Sequence, residues 1–555
     1  MSAMSSVSPS SNNRDSSSSN YPSDVEQLIV ERTEKAVIKE ENNEENELFG
    51  LNEDSSSFDL LKVLWSQALP EMISFLLWIG VSFINIYFAG RYTLNGKKST
   101  VIAGVCLANM FANVSCRSVL VGMTSAVETL ASQHNGAKNY SEVGIIMQRS
   151  CWILLAFSLP TGFLWLFSYQ FFSSFGVETA VCEVAQRYLS IRLWSIPVDA
   201  LCFSYDKYLM AMGVMKPGAW ANVLCVISIF ILDYLFVCVL KLPYDCLAWA
   251  WNISLLLTVV AQYYFSLSYE EVKRTLQPFD IRGFHNWGEF IWLALPGAIM
   301  LCGEWWAFEV LSIFASFLGT AEVASQSLLV QISSFSYMIP LGLGVATTTL
   351  IGNAIGAELL SLAKRTIRVS LVCILFIEVF VSLSIYFGGS TFVRIFTSDE
   401  EVLQAAGRAM TAIALFTIFD GIQCIAGSAL KGSGKQFIGA IANLGAFYVV
   451  GLPLSWLFCF HFHLGQSGLF LGLTCGVGIQ LIVTTSCIFI FEDYLFTASL
   501  RTKEFELVRS EEPVDEVGDV LHMLEMVDDK LEKGQLSVEM SPVLASTLNR
   551  EKESS

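Results

Sequence analysis

Carboxylates set inside long apolar runs are where this chain could do chemistry. Such groups are costly within a membrane and mark ion or substrate paths. Glu304 and Glu309 stand in the segment MLCGEWWAFEVLSIF. Trp305 and Glu309 are four residues apart and share a helical face. An aromatic ring attracts positive charge and a carboxylate neutralises it, so the two together suit an organic cation. Burial favours the neutral form of a carboxyl group. Proton and cation then compete for one carboxylate, and that competition couples their movements. At about 100° per residue, Glu304 and Glu309 point roughly 140° apart. They reach one narrow groove together only if the helix bends, and Gly303 offers a place for the bend.

The remaining ionisable groups in apolar runs are few. Asp420 lies in ALFTIFDGIQCIAGSALKGSG, about ten residues before a loop. Asp233, in IFILDYLFV, is surrounded by apolar residues, and Asn85, in FINIYFAG, is placed to hydrogen-bond across to it. Polar glue between helices is the plainer role for that pair. Arg117 in mid-helix needs an acid partner, with Asp233 and Asp199 as the two choices. Asp206 beside Lys207 reads as a surface ion pair, and Glu71 as a boundary residue. Glu378 and Glu128 have no assigned role. GSGKQ at 432–436 lacks the upstream glycine and the final Ser/Thr of a phosphate-binding loop, and it joins two apolar runs. The 14 cysteines are scattered through apolar stretches without metal-ligand spacing and read as small buried hydrophobes. With no His/Cys/Asp cluster and no nucleophile motif, the pattern points away from an enzyme, a cofactor or a metal. Transport, if that is the activity, is then driven by an ion.

Composition says what must position these groups. Of 555 residues, 53% are apolar and 15% charged, with a mean hydropathy of +0.53. An average soluble domain is about 25% charged, so this chain lacks the polar surface for several soluble domains. It reads as an all-α polytopic membrane protein. The net charge of -18 is local: residues 1–60 carry -9 and residues 499–555 carry -7. No basic face suits a nucleic acid. A spanning helix needs ~20 apolar residues. Twelve such runs fall near 67–90, 101–124, 149–170, 187–212, 217–240, 244–268, 288–318, 323–350, 366–388, 405–430, 437–460 and 466–491. Lys138, Lys216, Lys273, Arg274, Arg282, Lys364, Arg365, Arg368, Lys431, Lys435, Arg501 and Lys503 all follow even-numbered runs. Lys241 and Arg394 lie in the opposite loops, and Arg91, Lys97 and Lys98 form an exception after the first run. The balance places both termini in the cytoplasm, with a short amphipathic stretch near Val520–Met526. The membrane itself, plasma or vacuolar/endomembrane, is not specified.

An internal repeat organises the runs. Residues 122–150, GMTSAVETLASQHNGAKNYSEVGIIMQRS, align without gaps on 342–370, GLGVATTTLIGNAIGAELLSLAKRTIRVS. Gly122, Thr129, Leu130, Gly136, Ala137 and Ser150 fall on Gly342, Thr349, Leu350, Gly356, Ala357 and Ser370. A second match carries Gly213–Asn222 onto Gly434–Asn443, and therefore Asp199 onto Asp420. A third pairs Ala68-Leu69-Pro70 with Ala294-Leu295-Pro296. Three matches in one order mean two parallel halves of six helices, a transporter architecture. The expected organisation is a disordered Ser-rich acidic tail (1–60), an N-lobe (61–285), a C-lobe (286–494) and a second acidic tail (495–555).

The stretches GMTSAVETLASQHNGAKNY, ALPGAIMLCGEWWAFE, ALKGSGKQFIGAIAN and FYVVGLPLSW resemble the eukaryotic branch of the multidrug and toxic compound extrusion (MATE) transporters, over about residues 65–490. The resemblance implies twelve helices in two pseudo-symmetric six-helix lobes around a central cavity. It implies antiport of organic cations, other xenobiotics or metabolites against a cation, in this branch usually the proton, with sodium as the other choice. Glu304 and Glu309 match the acids of the family's EWW..E motif, and Asp420 a position held by Asp or Glu. Asn85 falls where many bacterial members carry a cation-binding Asp in the first helix. Asp233 matches an Asp in the fifth helix of some prokaryotic members, and Gln133 the Gln of Thr-Leu-x-x-Gln. Asp199 and Arg117 are not positions where the family is expected to carry charge. The expected partners are a small organic cation or metabolite and the lipid bilayer, with the chain acting as a monomer. The rival readings are a flippase for lipid-linked sugars, which should need a basic cavity, and a channel.

Overall fold

The computed structural model describes residues 48–53, 55–92, 99–397 and 399–490. Most of both acidic tails, the Val520–Met526 stretch and the pair Lys97 and Lys98 lie outside the described residues. Among the described residues, eleven helices are long and apolar enough to cross a membrane, and a broken twelfth completes the set. They are α1 (Ser57–Ala89), α2 (Thr100–Gly136), α3 (Tyr140–Leu166), α4 (Thr179–Arg192 and Ser195–Ala211), α5 (Lys216–Val239) and α6 (Cys246–Ser266), then α7 (Trp287–Ser316), α8 (Ala321–Gly356), α9 (Leu360–Ile395), α10 (Glu400–Gly432), α11 (Gln436–His461) and α12 (Gln466–Phe489). Among the described residues there is no strand.

Local sequence sets the ends and breaks. α1 begins ten residues before the expected run, because the Ser56 hydroxyl caps the Asp59 amide at 3.2 Å. Residues 57–60 are therefore helix rather than tail. α4 breaks at Leu193–Trp194 because Pro197 has no N–H to offer the Leu193 carbonyl. Pro197 then sits in the first turn of the second segment, where a missing donor is harmless. α2 carries a π-turn at Asn113–Arg117, and α5 carries one at Leu235–Val239, just beyond Asp233. Such turns recur at functional sites.

The repeat is visible in the packing. α7 packs on the middle of α2, and α8 packs on α1. A Cβ on Gly122 would lie 2.5 Å from the Ala298 Cα, and one on Gly342 would lie 2.5 Å from the Met72 Cγ. The two matched glycines thus seat matched residues of the opposite lobe. At the ends of α2 and α8 the backbones touch: a Cβ on Gly136 would fall 2.0 Å from the Asn353 carbonyl oxygen, and one on Gly356 2.0 Å from that of Gln133. Hydrogen bonds repeat the symmetry. The Thr129 hydroxyl and Gln133 amide donate to the Lys431 and Gly432 carbonyls at 2.7 and 3.2 Å. Thr349 and Asn353 donate to the Met210 and Ala211 carbonyls at 3.0 and 2.8 Å. Each lobe thereby ties the exposed carbonyls at a helix end of the other, on the side where the loops after even-numbered helices lie.

Gly136→Ala and Gly356→Ala should each destabilise the protein by about 1–3 kcal/mol, since backbone rather than a side chain must move. Thermal unfolding in detergent checks this. Unchanged midpoints in both variants would contradict the crossing described here.

Candidate functional site in the helix bundle

Each lobe holds a polar cluster in its apolar interior, and the repeat makes the two comparable. Extended without gaps, the sequence matches carry Trp78 onto Glu304, Arg117 onto Tyr337 and Asp199 onto Asp420. In the N-lobe, the Arg117 guanidinium stacks over the Trp78 ring at 4.8 Å and approaches Asp199 at 4.0 Å. The Ser195 hydroxyl also donates to Asp199 at 3.1 Å. Both charged residues are buried. The acid there is neutralised by a base that cannot deprotonate. In the C-lobe, the equivalent trio is Glu304 on α7, Tyr337 on α8 and Asp420 on α10. The Tyr337 hydroxyl faces the Glu304 carboxyl, and Glu304 and Asp420 are electrostatic neighbours. Asp420 is 7% exposed, and Glu304 is half-buried. One position in the repeat therefore holds an acid with a base in one lobe and an acid beside an acid in the other. Of the two partners open to Arg117, the structure selects Asp199.

α7 runs unbroken through Gly303. The glycine serves a packing purpose: a Cβ there would lie 2.6 Å from Asn443 Oδ1, so it admits the close approach of α11. Glu304 and Glu309 consequently face different ways. Ala298, Cys302, Trp305 and Glu309 form one stripe along α7, with neighbours three or four residues apart. Lower on that stripe, Ala298 meets Gly122 and the Cys302 thiol meets the Ser118 hydroxyl at 3.5 Å, both on α2 of the N-lobe. Higher up, Trp305 is half-buried and Glu309 is exposed. Glu309 is thus on the α7 face that looks across to the other lobe, apart from the Glu304–Asp420 cluster.

The other expected residues divide in the same plain way. Asn85 is fully buried; its amide donates to the Leu247 carbonyl at 3.3 Å and its oxygen accepts from the Tyr188 hydroxyl at 2.9 Å. Asp233 faces the same Asn85 side chain, but neither of its oxygens has a hydrogen-bond partner. Arg192, buried one turn beyond Tyr188, stacks on Trp251 at 4.2 Å and donates to Asn109 at 3.0 Å. Gln133 is engaged in the lobe crossing, away from the acid clusters. Asp206 is not in a surface ion pair with Lys207. It accepts from Gln262 at 2.7 Å, while Lys207 pairs with Glu128 at 3.3 Å on α2. Glu71, expected near a boundary, is buried within the protein and faces Asp206, Lys207 and Glu128.

Sequence reasoning missed Tyr337 and the place of Lys431, and it named Glu378 without a role. Tyr337 carries no charge to draw notice, but its register opposite Arg117 in the repeat was readable. Lys431, counted as a loop residue, lies close enough to act on Glu304. Among the described residues no group of three or more His, Cys, Asp and Glu side chains is arranged to hold a metal ion.

Comparison with known proteins agrees with this geometry. The family model described as MatE matches twice, over residues 70–235 and 296–457, once in each lobe. An uncharacterized transporter of Schizosaccharomyces pombe is 30% identical over 492 residues, covering 87% of this chain and 90% of the relative. Multidrug and toxin extrusion protein 1 of Danio rerio is 32% identical, covering 78% of this chain and 72% of the relative. The human protein of the same name is 31% identical over 74% and 72%. The crystal structure of a eukaryotic MATE transporter, AtDTX14, superposes with a TM-score of 0.74 at 24% identity, covering 80% of this chain and 99% of that one. With the model matching both lobes and its relatives aligned along most of their length, this multi-pass membrane protein belongs to the MATE family of transporters.

Proposed function

We propose that the protein is a secondary antiporter that expels organic cations in exchange for protons. Glu304 and Asp420 are the carboxyls that alternate between proton and cation. The observation that carries this reading is the contrast between the lobes: Asp199 is held by Arg117, whereas its counterpart Asp420 sits beside Glu304 with a tyrosine in the arginine's place. Two neighbouring carboxyls in a low-dielectric interior do not both ionise without a compensating positive charge. A proton or a cation supplies it, and each excludes the other. Trp305 and Glu309, on the face turned toward the other lobe, form the approach for a positively charged, aromatic-compatible solute. Among the described residues, the buried charged groups of the N-lobe are four acids (Glu71, Glu128, Asp199 and Asp233) and three bases (Arg117, Arg149 and Arg192), a balance that disfavours a flippase for pyrophosphate-linked sugars.

The excess of basic residues after even-numbered helices assigns that side to the cytoplasm. The lobe crossing then closes the cytoplasmic end, and alternating access requires Thr129, Gln133, Thr349 and Asn353 to release their carbonyls as the lobes rock. Proteoliposomes with separately imposed proton and sodium gradients, and a fluorescent organic cation supplied outside, test the reading. A proton gradient should drive uptake and a sodium gradient should not. Uptake driven by sodium alone would replace the proton as the coupling ion, and flux without any coupled gradient would favour a channel.

A further inference from the structure

The segment ahead of α1 touches both lobes. Leu48-Phe49-Gly50-Leu51 is a two-residue turn: the leucines exchange backbone hydrogen bonds at 2.8 and 2.9 Å, and Phe49 and Gly50 have φ of +54° and +73°. Such a turn favours Asn, Asp or Gly at its first position, and a bulky residue there is a rarity. It persists where the surroundings fix it. Here the Phe49 ring fills the notch left by Gly213: a Cβ on that glycine would fall 2.7 Å from the ring's Cε1 and 2.9 Å from the Gln67 Nε2. Gly213 lies in the turn that ends α4, and the Met210 and Ala211 carbonyls of that turn are the ones held by Thr349 and Asn353 of α8. Leu48 and Leu51 are buried in an apolar cluster that α1 shares with Ile355, Leu359 and Leu362 of the C-lobe. Arg365, on α9 of the C-lobe, donates to the Glu53 and Ser55 carbonyls. The Ser55 hydroxyl accepts from the Asn52 amide at 2.8 Å, which keeps those carbonyls close to the turn.

The repeat shows that the fold does not require this contact. Gly434 takes the place of Gly213 in the second half, with φ of +72°. A Cβ on Gly434 would meet nothing nearer than the Thr129 Cγ2 at 3.7 Å, and among the described residues no aromatic ring fills that notch. The contact is therefore a one-sided addition, made at the end of the molecule that the lobe crossing closes. Opening that end parts α8 from the turn at 210–213. The segment holds both sides of the gap, the turn through its ring and the C-lobe through its leucines and backbone carbonyls. Phe49 and Arg365 are each only half-buried, so these two holds release without unpacking the core of either lobe. We propose that residues 48–53, with Ser55, are a strap that restrains opening at the lobe crossing, so that the lobes rest with this end shut and the strap lets go once in each transport cycle. This rests on the alternating-access part of the proposed function and is independent of which ion is coupled.

Hydrogen–deuterium exchange of the purified full-length protein in lipid nanodiscs, resolved by mass spectrometry, tests the strap. Phe49→Ala empties the Gly213 notch, and Arg365→Leu removes the hold on the two carbonyls. In each variant, exchange at the crossing, residues 129–137 and 349–357, should quicken about tenfold, the factor expected for baring half an aromatic side chain or losing a charged hydrogen-bond donor. At the opposite end, residues 100–107 and 321–328 should exchange more slowly, because rocking lobes shut one mouth as they open the other. Phe58→Ala, which truncates an exposed aromatic in the first turn of α1, should change neither. Unchanged exchange at the crossing in both strap variants would overturn the proposal. A rise at both ends would overturn it too, since that is general loosening rather than a shift between two states. If Phe49→Ala folds poorly, Arg365→Leu decides alone. A reciprocal change at the two ends in a protein that shows no proton-driven uptake would strike the antiport reading and leave the strap standing. Proton-driven uptake with no change at the crossing would strike the strap alone.

Discussion

Glu304→Gln should reduce proton-driven transport of an organic cation by on the order of a hundredfold, at equal expression and with the fold intact. Glutamine keeps the shape and a hydrogen-bond acceptor for Tyr337, but it can neither hold the exchangeable proton nor meet a cation with a full charge. Two unit charges at about 4 Å attract by about 4 kcal/mol at an effective dielectric of ~20. That is roughly three decades of affinity before the cation's own desolvation is subtracted. Glu309→Gln acts elsewhere. Glu309 is exposed on the face turned toward the other lobe, so its loss should weaken capture of the cation and leave proton dependence in place. Undiminished transport in both variants would remove the assigned roles. The measurement is initial uptake into proteoliposomes across a fixed pH gradient.

The second large effect concerns stability. Arg117→Met should destabilise the protein by about 3–5 kcal/mol, because it leaves Asp199 charged and unpaired in an apolar interior. Arg117 is 3% and Asp199 1% exposed, and the guanidinium also lies over Trp78, Phe203 and Trp251 at 4.8, 5.4 and 5.5 Å. The pair Arg117→Met with Asp199→Asn should recover much of the loss, since no uncompensated charge then remains. The lost stacking will keep the recovery incomplete. Thermal unfolding of the two single variants and the double variant forms the cycle. Additive losses would mean that the two residues do not act as a pair.

The apolar runs were legible because a spanning helix leaves no freedom in its length or its polarity. α4 was the least legible of them. Arg187, Arg192, Asp199, Asp206 and Lys207 dilute it, and Pro197 divides it, so the run at 187–212 is two shorter helices rather than one apolar span. The acids themselves were readable from their surroundings, but their partners were not. Helical periodicity gave the angle between Glu304 and Glu309 and required a bend to unite them. Whether Gly303 would bend or would admit a neighbour depended on α11, which lies far away in sequence. Adjacency in the sequence pairs Lys207 with Asp206. The structure pairs it with Glu128 on another helix, because adjacent residues on a helix point in different directions. Tyr337 escapes notice in the sequence and Glu378 has no role there, for opposite reasons. One is neutral, and the other is an acid whose neighbours could not be foreseen. The repeat register held the answer for Tyr337, since Arg117 occupies the same place in the first half.

The dissociation constant of an organic cation as a function of pH, in the purified protein and in Glu304→Gln/Asp420→Asn, tests the exchange of proton for cation most directly. Competition for shared carboxyls predicts that affinity weakens steadily as pH falls and that the doubly altered protein binds weakly with no dependence on pH. A cation affinity that is strong and flat across the same pH range in the unaltered protein would contradict it.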